Sequence, residues 1–165
     1  MDVARHGPAL AALLIDAVDS GASIGFLPPL DTAEAARYWD GVADALREGS
    51  RVLLIARHGD RPVGSVQLDL ALRANGRHRA EVVRLMVHRE ARRHGLGRAL
   101  MLAIEGEARQ RGRTTLVLDT RQGDPSETLY RELGWTPAGV IPRYARSADG
   151  SLHTTAFYYK LLDPS

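Results

Sequence analysis

A basic heptapeptide, Arg92-Arg93-His94-Gly95-Leu96-Gly97-Arg98, stands between a strand-like apolar run and a helix-like stretch. It constrains the fold more than any other segment. Residues 81–87 read as a strand with Val83, Leu85 and Val87 on one face. A helix then runs to about Gln110 and stops at Gly112. Gly95 and Gly97 let backbone approach a ligand closely, and the helix N-terminus beyond them offers N–H groups to an anion. With Arg92, Arg93 and Arg98 alongside, a diphosphate is the natural guest. Without a ligand, the same residues would form a tight turn edged by solvated arginines.

The rest of the chain sets this turn in context. Leu10, Leu13, Leu14, Ala17 and Val18 recur at helical spacing before Gly21. Asp31 and Glu34 form an acidic capping box ahead of the stripe Ala35, Tyr38, Trp39, Val42, Ala43 and Leu46. Between these helices, residues 21–30 read as a shaped loop. Residues 52–56 are a continuous apolar run, and Val66, Leu68, Leu70 and Leu72 alternate as in a half-buried strand. Turn signals at 58–62 and at Asn75-Gly76 suggest an antiparallel meander. After the glycine turn come a strand at 114–119 and a helix with Asp124, Pro125 and Glu127 at N-cap, N1 and N3. Two closing strands lie near 135–143 and 153–161.

The expected order is α-α-β-β-β-α-β-α-β-β. That is an α/β fold of the mixed α+β kind: a mixed, mostly antiparallel central sheet with helices on both faces. One domain over residues 1–165 is expected.

Composition removes whole classes of function. There is no cysteine among the 165 residues, so disulfides, thiolate metal sites and cysteine nucleophiles are excluded. No apolar run approaches the roughly 18 residues that would span a bilayer. The first eight residues lack a basic-then-apolar leader, which favours a cytoplasmic protein without a membrane partner. Of 22 cationic residues only Lys160 is lysine. A genomic preference for arginine accounts for such an excess, so only local clusters count. The net charge of +2, with no basic run interleaved with aromatics, argues against a nucleic-acid partner.

Other phosphate and metal motifs fit worse. A dinucleotide fingerprint would place a third glycine where Leu100 stands and would start directly after the strand. Asp119 lies roughly where its ribose-binding acid would be. The P-loop Lys-Ser/Thr pair is missing. His88-Arg89-Glu90 opens like a deaminase zinc motif but has no cysteine pair, and no metal is expected.

Arg92, Gly95 and Gly97 match every fixed position of Arg/Gln-x-x-Gly-x-Gly/Ala, the pyrophosphate loop of the GNAT superfamily of acyl-CoA-dependent N-acetyltransferases. The chain resembles that family also in Val83-Arg84-Leu85-Met86-Val87-His88, similar to its fourth strand, and in residues 127–135, similar to its closing helix-Gly-aromatic motif. The resemblance covers roughly residues 51–161. A closer one, to a toxin-inactivating branch of the family, rests on residues 21–26, 79–82, 118–120 and 149–153. The family starts with a strand before its first helix, for which only residues 1–3 remain here.

The resemblance implies a sheet splayed between the family's fourth and fifth strands. It implies acetyl-CoA as cosubstrate, and direct transfer to an amine in a ternary complex. Leu85, Met86 and Val87 would supply backbone to the pantetheine, and an N–H near Val87 would face the developing oxyanion. Arg92, Arg93, His94, Gly95, Leu96, Gly97 and Arg98 would hold the diphosphate, with Ser126 a further contact. Glu81 and Asp119 are both implied as general base, and Tyr130 as the acid beside the sulfur.

The acceptor pocket is expected between residues 21–30 and the last inter-strand loop, including Arg143, Tyr144 and His153. Few acids stand there, which favours a small-molecule amine over a polycation, and Arg143 offers itself to a carboxylate. A non-catalytic acyl-CoA-binding sensor and a protein or peptide N-acetyltransferase are the competing readings. The chain is expected to act as a monomer or homodimer.

Overall fold

The computed structural model describes residues 3–163. Its helices are α1 (Gly7–Asp19), α2 (Thr32–Arg47), α3 (Leu96–Gln110) and α4 (Ser126–Glu132). Its strands are β1 (Arg51–His58), β2 (Arg61–Leu70), β3 (Arg79–Val87), β4 (Thr115–Arg121), β5 (Thr136–Arg146) and β6 (Leu152–Leu161). This is the order read from the sequence.

The helix starts follow the capping chemistry. Asp31 accepts the Glu34 N–H at 2.7 Å, which satisfies one orphan donor of α2 and contributes about 1 kcal/mol. Asp124 accepts the Ser126 N–H at 2.9 Å, and Pro125 already has helical backbone angles. Glu127, at the expected third position, accepts the Gly123 N–H and the Tyr158 hydroxyl.

The six strands run β1-β2-β3-β4-β6-β5 in one sheet. Only β3 and β4 are parallel. A doubly wound dinucleotide fold requires a mostly parallel sheet, so that alternative is overturned. Helices α3 and α4 cover one face over Val66, Leu68, Val82, Leu116 and Leu118. Helices α1 and α2 cover the other, where Leu10, Leu14, Trp39 and Val42 pack against Leu53 and Met86. Full burial of such side chains contributes roughly 1.5–3 kcal/mol each.

Three expectations change. Leu72 lies beyond β2 and is exposed. No strand precedes α1 among the described residues: Val3 is in a turn, a single 3-10 turn spans Ala4–His6, and residues 1–2 lie outside the described range. Strand β1 is therefore the sheet edge on that side.

The third change bears on the site. The register of β2 and β3 slips between Ser65/Met86 and Gln67/Val83, so β3 carries an extra residue there. Arg84 lies in this bulge with φ +55°, outside the usual strand region. The bulge swaps faces. Val83 sits opposite Gln67, which bonds to Tyr38 of α2, whereas Leu85 and Val87 pack under α3. Val83 therefore does not share a face with Leu85 and Val87, and neither does Glu81 share one with Leu85.

Candidate active site

Strands β3 and β4 pair over three rungs only: Arg79–Thr115, Ala80–Leu116 and Glu81–Val117. Beyond Glu81 they part. A cavity of about 200 Å³ fills the gap, lined among others by Glu81, Arg84, Asp119, Ser126 and Tyr130. The phase of the β2–β3 ladder decides which backbone groups face it. His88 donates its N–H to Val63 O at 2.8 Å, so by the antiparallel alternation Met86 also points to β2 and Val87 points away, towards the gap. Of the expected strand contacts, Met86 thus gives its backbone to β2 and its side chain to the core. Val87 keeps a free N–H direction.

Glu81 and Asp119 project from the same face of adjacent strands. Burial raises the Glu81 carboxyl above its usual range, and the negative charges of Asp119 and Asp69 raise it further. Burial also raises Asp119, although it stays open to the cavity, while Arg84 pulls it down. Asp69 sits directly opposite Glu81 and is itself paired to Arg51 at 3.1 Å.

Tyr130 enters the same cavity from α4. Its ring packs against Trp135 and Tyr158 at centroid separations of 6.3 and 6.1 Å. Burial drives its hydroxyl well above the ordinary phenol range, with Asp124 and Asp119 adding to the effect and a hydrogen bond from Ser126 opposing it. Ser126 in turn bonds Thr120 Oγ1 at 2.9 Å. The phenol therefore stays protonated at any working pH and is a hydrogen-bond donor.

The glycine turn follows β3 through a short 3-10 turn, Arg89–Ala91, and leads into α3. Gly95 caps α3 with φ +76°, and Arg93 has φ +64°. The first ladder bond of α3 is Ala99 N–H to Gly95 O, so the N–H groups of Leu96, Gly97 and Arg98 precede the ladder. Gly97 faces α4: a Cβ there would meet Leu129 at 3.5 Å, an ordinary contact. The arginines are partly committed. Arg92 Nε donates to Val87 O at 3.1 Å, and Arg98 pairs with Glu132 at 2.6 Å. Arg93 and His94 are exposed. The turn is anchored to α1, because Asp16 accepts the Arg89 N–H at 3.0 Å and also its side chain.

A second cleft, about 570 Å³, adjoins the cavity and shares Gly21, Ala22, Ser23 and Arg121 with it. Its walls are residues 25–28 and 145–149. Here the sequence reading is half right. The two loops meet as expected, but Arg143 and Tyr144 do not line the cleft. Arg143 sits at a break in the β5–β6 register with φ +56°, and Tyr144 packs edge-on against Phe157. His153 joins the loops, with Nε2 3.2 Å from Ser23 Oγ and Nδ1 3.1 Å from Ser147 Oγ. Burial and Arg121 lower its pKa, which keeps it neutral near pH 7.

Residues 17–135 match the model of the Acetyltransferase (GNAT) family. The chain belongs to this family. An uncharacterized N-acetyltransferase of the hisH-hisA intergenic region of Azospirillum brasilense is 38% identical over 109 residues. That match spans 65% of this chain and 63% of the relative's length. Among solved structures, a ribosomal-protein-alanine N-acetyltransferase from Brucella melitensis superposes with a TM-score of 0.81 at 24% identity, covering 96% of this chain and 95% of that one. A putative acetyltransferase from Salmonella typhimurium, solved with its cofactor acetyl-CoA, gives 0.81 at 23% identity, covering 100% and 92%. At these identities the structural likeness speaks for the fold.

One residue of this GNAT chain escaped the sequence reading as a site residue. Arg84 sits in the cavity between the two carboxylates and the first loop. The doublet Val82-Val83 followed by Leu85-Met86-Val87 breaks strict alternation around it, which is the trace a bulge leaves in sequence.

Proposed function

We propose that the chain is an N-acetyltransferase that moves an acetyl group from acetyl-CoA to the amine of a small molecule, by direct transfer. The observation that carries this reading is the parting of β3 and β4 beyond Glu81, which gathers Glu81, Asp119, Ser126 and Tyr130 around one cavity. The residues present fit the cosubstrate. The N–H groups at the start of α3 suit a diphosphate, and the open edge at Val87 suits an extended amide-bearing arm. Arg92, Arg93, His94, Gly95, Leu96, Gly97 and Arg98 would hold the diphosphate, and Leu85, Val87 and Ser126 the arm. Acetyl-CoA supplies an activated thioester.

The chain's own residues do the rest. Glu81 or Asp119 takes the proton from the acceptor ammonium, and a raised carboxyl pKa narrows the gap to the amine. The Val87 N–H donates to the carbonyl oxygen as charge grows on it. As the C–N bond forms and the C–S bond breaks, Tyr130 would give its proton to the departing sulfur, and the new amide nitrogen would give up its second proton to restore the phenol. In water a phenol of pKa about 10 opposes protonation of a thiolate of pKa about 8.5, by roughly 2 kcal/mol. Burial raises the phenol further here, so the donation relies on the thiolate being desolvated in the same cavity.

The acceptor class is the one implied by resemblance to the tabtoxin resistance protein: an amino-acid-like or β-lactam toxin, met by one cytoplasmic domain. Acetyl-CoA consumption over amino acids, toxins, aminoglycosides and peptides tests the reading. Turnover confined to peptides, or none with any amine, overturns it.

A further inference from the structure

Two arginines line the cavity, and among the described residues Arg84, unlike Arg121, has every side-chain donor unspent. Arg84 lies half-buried between the carboxylates and the first loop, and its guanidinium makes no hydrogen bond or ion pair among the described residues. Its ring contact is with Tyr38, 5.9 Å from Cζ to the centroid, and its charged neighbours Glu81 and Asp119 stand beyond ion-pair distance. Tyr38 is fixed from behind, since Gln67 donates to its hydroxyl at 2.9 Å. The other arginines at the cleft are engaged: Arg121 donates to Ser147 Oγ at 3.1 Å and Arg146 to Gly150 O at 2.7 Å.

The fold makes room for this guanidinium at a cost. Arg84 occupies a left-handed backbone conformation that disfavours residues with a side chain, and the bulge that holds it interrupts a central ladder. On the facing loop, Gly25 has φ +92°, and a Cβ there would come within 3.1 Å of Arg84 Nη2. A residue larger than glycine at 25 would therefore push the guanidinium aside by a few tenths of an ångström.

We propose that Arg84 is the specificity-determining residue for the acceptor, binding a carboxylate carried on the same small molecule as the reacting amine. This rests on the acetyltransferase reading and deepens it. A zwitterion matches the cavity's charge pattern: its ammonium faces Glu81 and Asp119, and its carboxylate takes the bidentate fork of Arg84. Free amino acids and their close analogues have this form. Amides, esters and internal peptide amines lack the carboxylate and leave the guanidinium unpaired.

The test uses matched pairs: leucine with leucinamide, phenylalanine with phenylalaninamide, and lysine with lysinamide. Binding is read by calorimetry on the CoA-loaded chain, and turnover by CoA release from acetyl-CoA. In at least one pair the acid should bind tenfold or more tighter than its amide. R84Q should bring that ratio within twofold by weakening the acid alone, and R84K should keep part of the preference. Equal binding of acids and amides, no binding of either, or a preference that survives R84Q overturns the proposal. An acid preference without CoA release sustains the carboxylate site and defeats the acetyltransferase reading. Release with acids and amides alike does the reverse.

Discussion

Glu81 pairs with Val117 on the last rung before β3 and β4 separate, and Asp119 stands two residues farther along the same face of β4. The two carboxylates therefore flank the point where the sheet opens. Burial, helped by the charges of Asp119 and of Asp69 behind it, holds Glu81 above the ordinary carboxyl range.

Loss of either carboxylate should slow transfer. Glu81→Gln and Asp119→Asn are each expected to reduce kcat/KM, the one that is the base by about 10²–10⁴-fold. That variant should also lose the acidic limb of the pH–rate profile, measured with one acceptor throughout. Wild-type rates with the same limb in both variants would remove both groups as base.

The same substitutions should stabilise the fold. A carboxyl raised in the folded state holds more protons than in the unfolded chain, between its ordinary pKa and the raised one. Stability therefore falls as pH rises through that window. At pH 8 both variants should melt above wild type, by roughly 2–4 °C for each kcal/mol relieved. Near pH 3, below the ordinary values of both carboxyls, they are mostly protonated in either state and the advantage should shrink. Melting curves at the two pH values decide this.

Tyr130→Phe removes only a hydroxyl and leaves the ring between Trp135 and Tyr158. Turnover should drop at least tenfold while acetyl-CoA affinity stays within about twofold. Unchanged turnover, with the chemical step shown to limit the rate, would make Tyr130 a packing residue.

His153→Ala cuts the link between Ser23 and Ser147 and frees the cleft's two walls. The KM for the acceptor should rise several-fold, with little change in the KM for acetyl-CoA. Steady-state kinetics with each substrate varied in turn read the difference. An acceptor KM that does not move would show that the walls hold without the imidazole.

Local chemistry made much of this legible. The Asp31 cap, the Asp124-Pro125 helix start and the turn at Gly95 announce themselves within a few residues, because each satisfies its own backbone groups. The Arg84 bulge does not. Its local trace, apolar runs on both sides of Arg84, fits a strand buried on both faces equally well, and the partner register is what shows that Leu85 and Val87 have changed faces. Arg143 misled for a related reason. A register break turns β5 there, so proximity in sequence to the cleft loop does not become proximity in space.

Gly25 and Arg84 are coupled, with consequences for how such a chain changes its diet. A side chain at 25 meets a guanidinium 3.1 Å away, on a backbone already held at φ +92°. The guanidinium is the far end of a flexible side chain and can give the few tenths of an ångström that such a contact asks, so the firmer obstacle at 25 is its own φ. A larger residue there strains the loop first and displaces the arginine second. Width and charge are therefore tied at this point of the cleft, because narrowing it at 25 also re-aims the cation at 84.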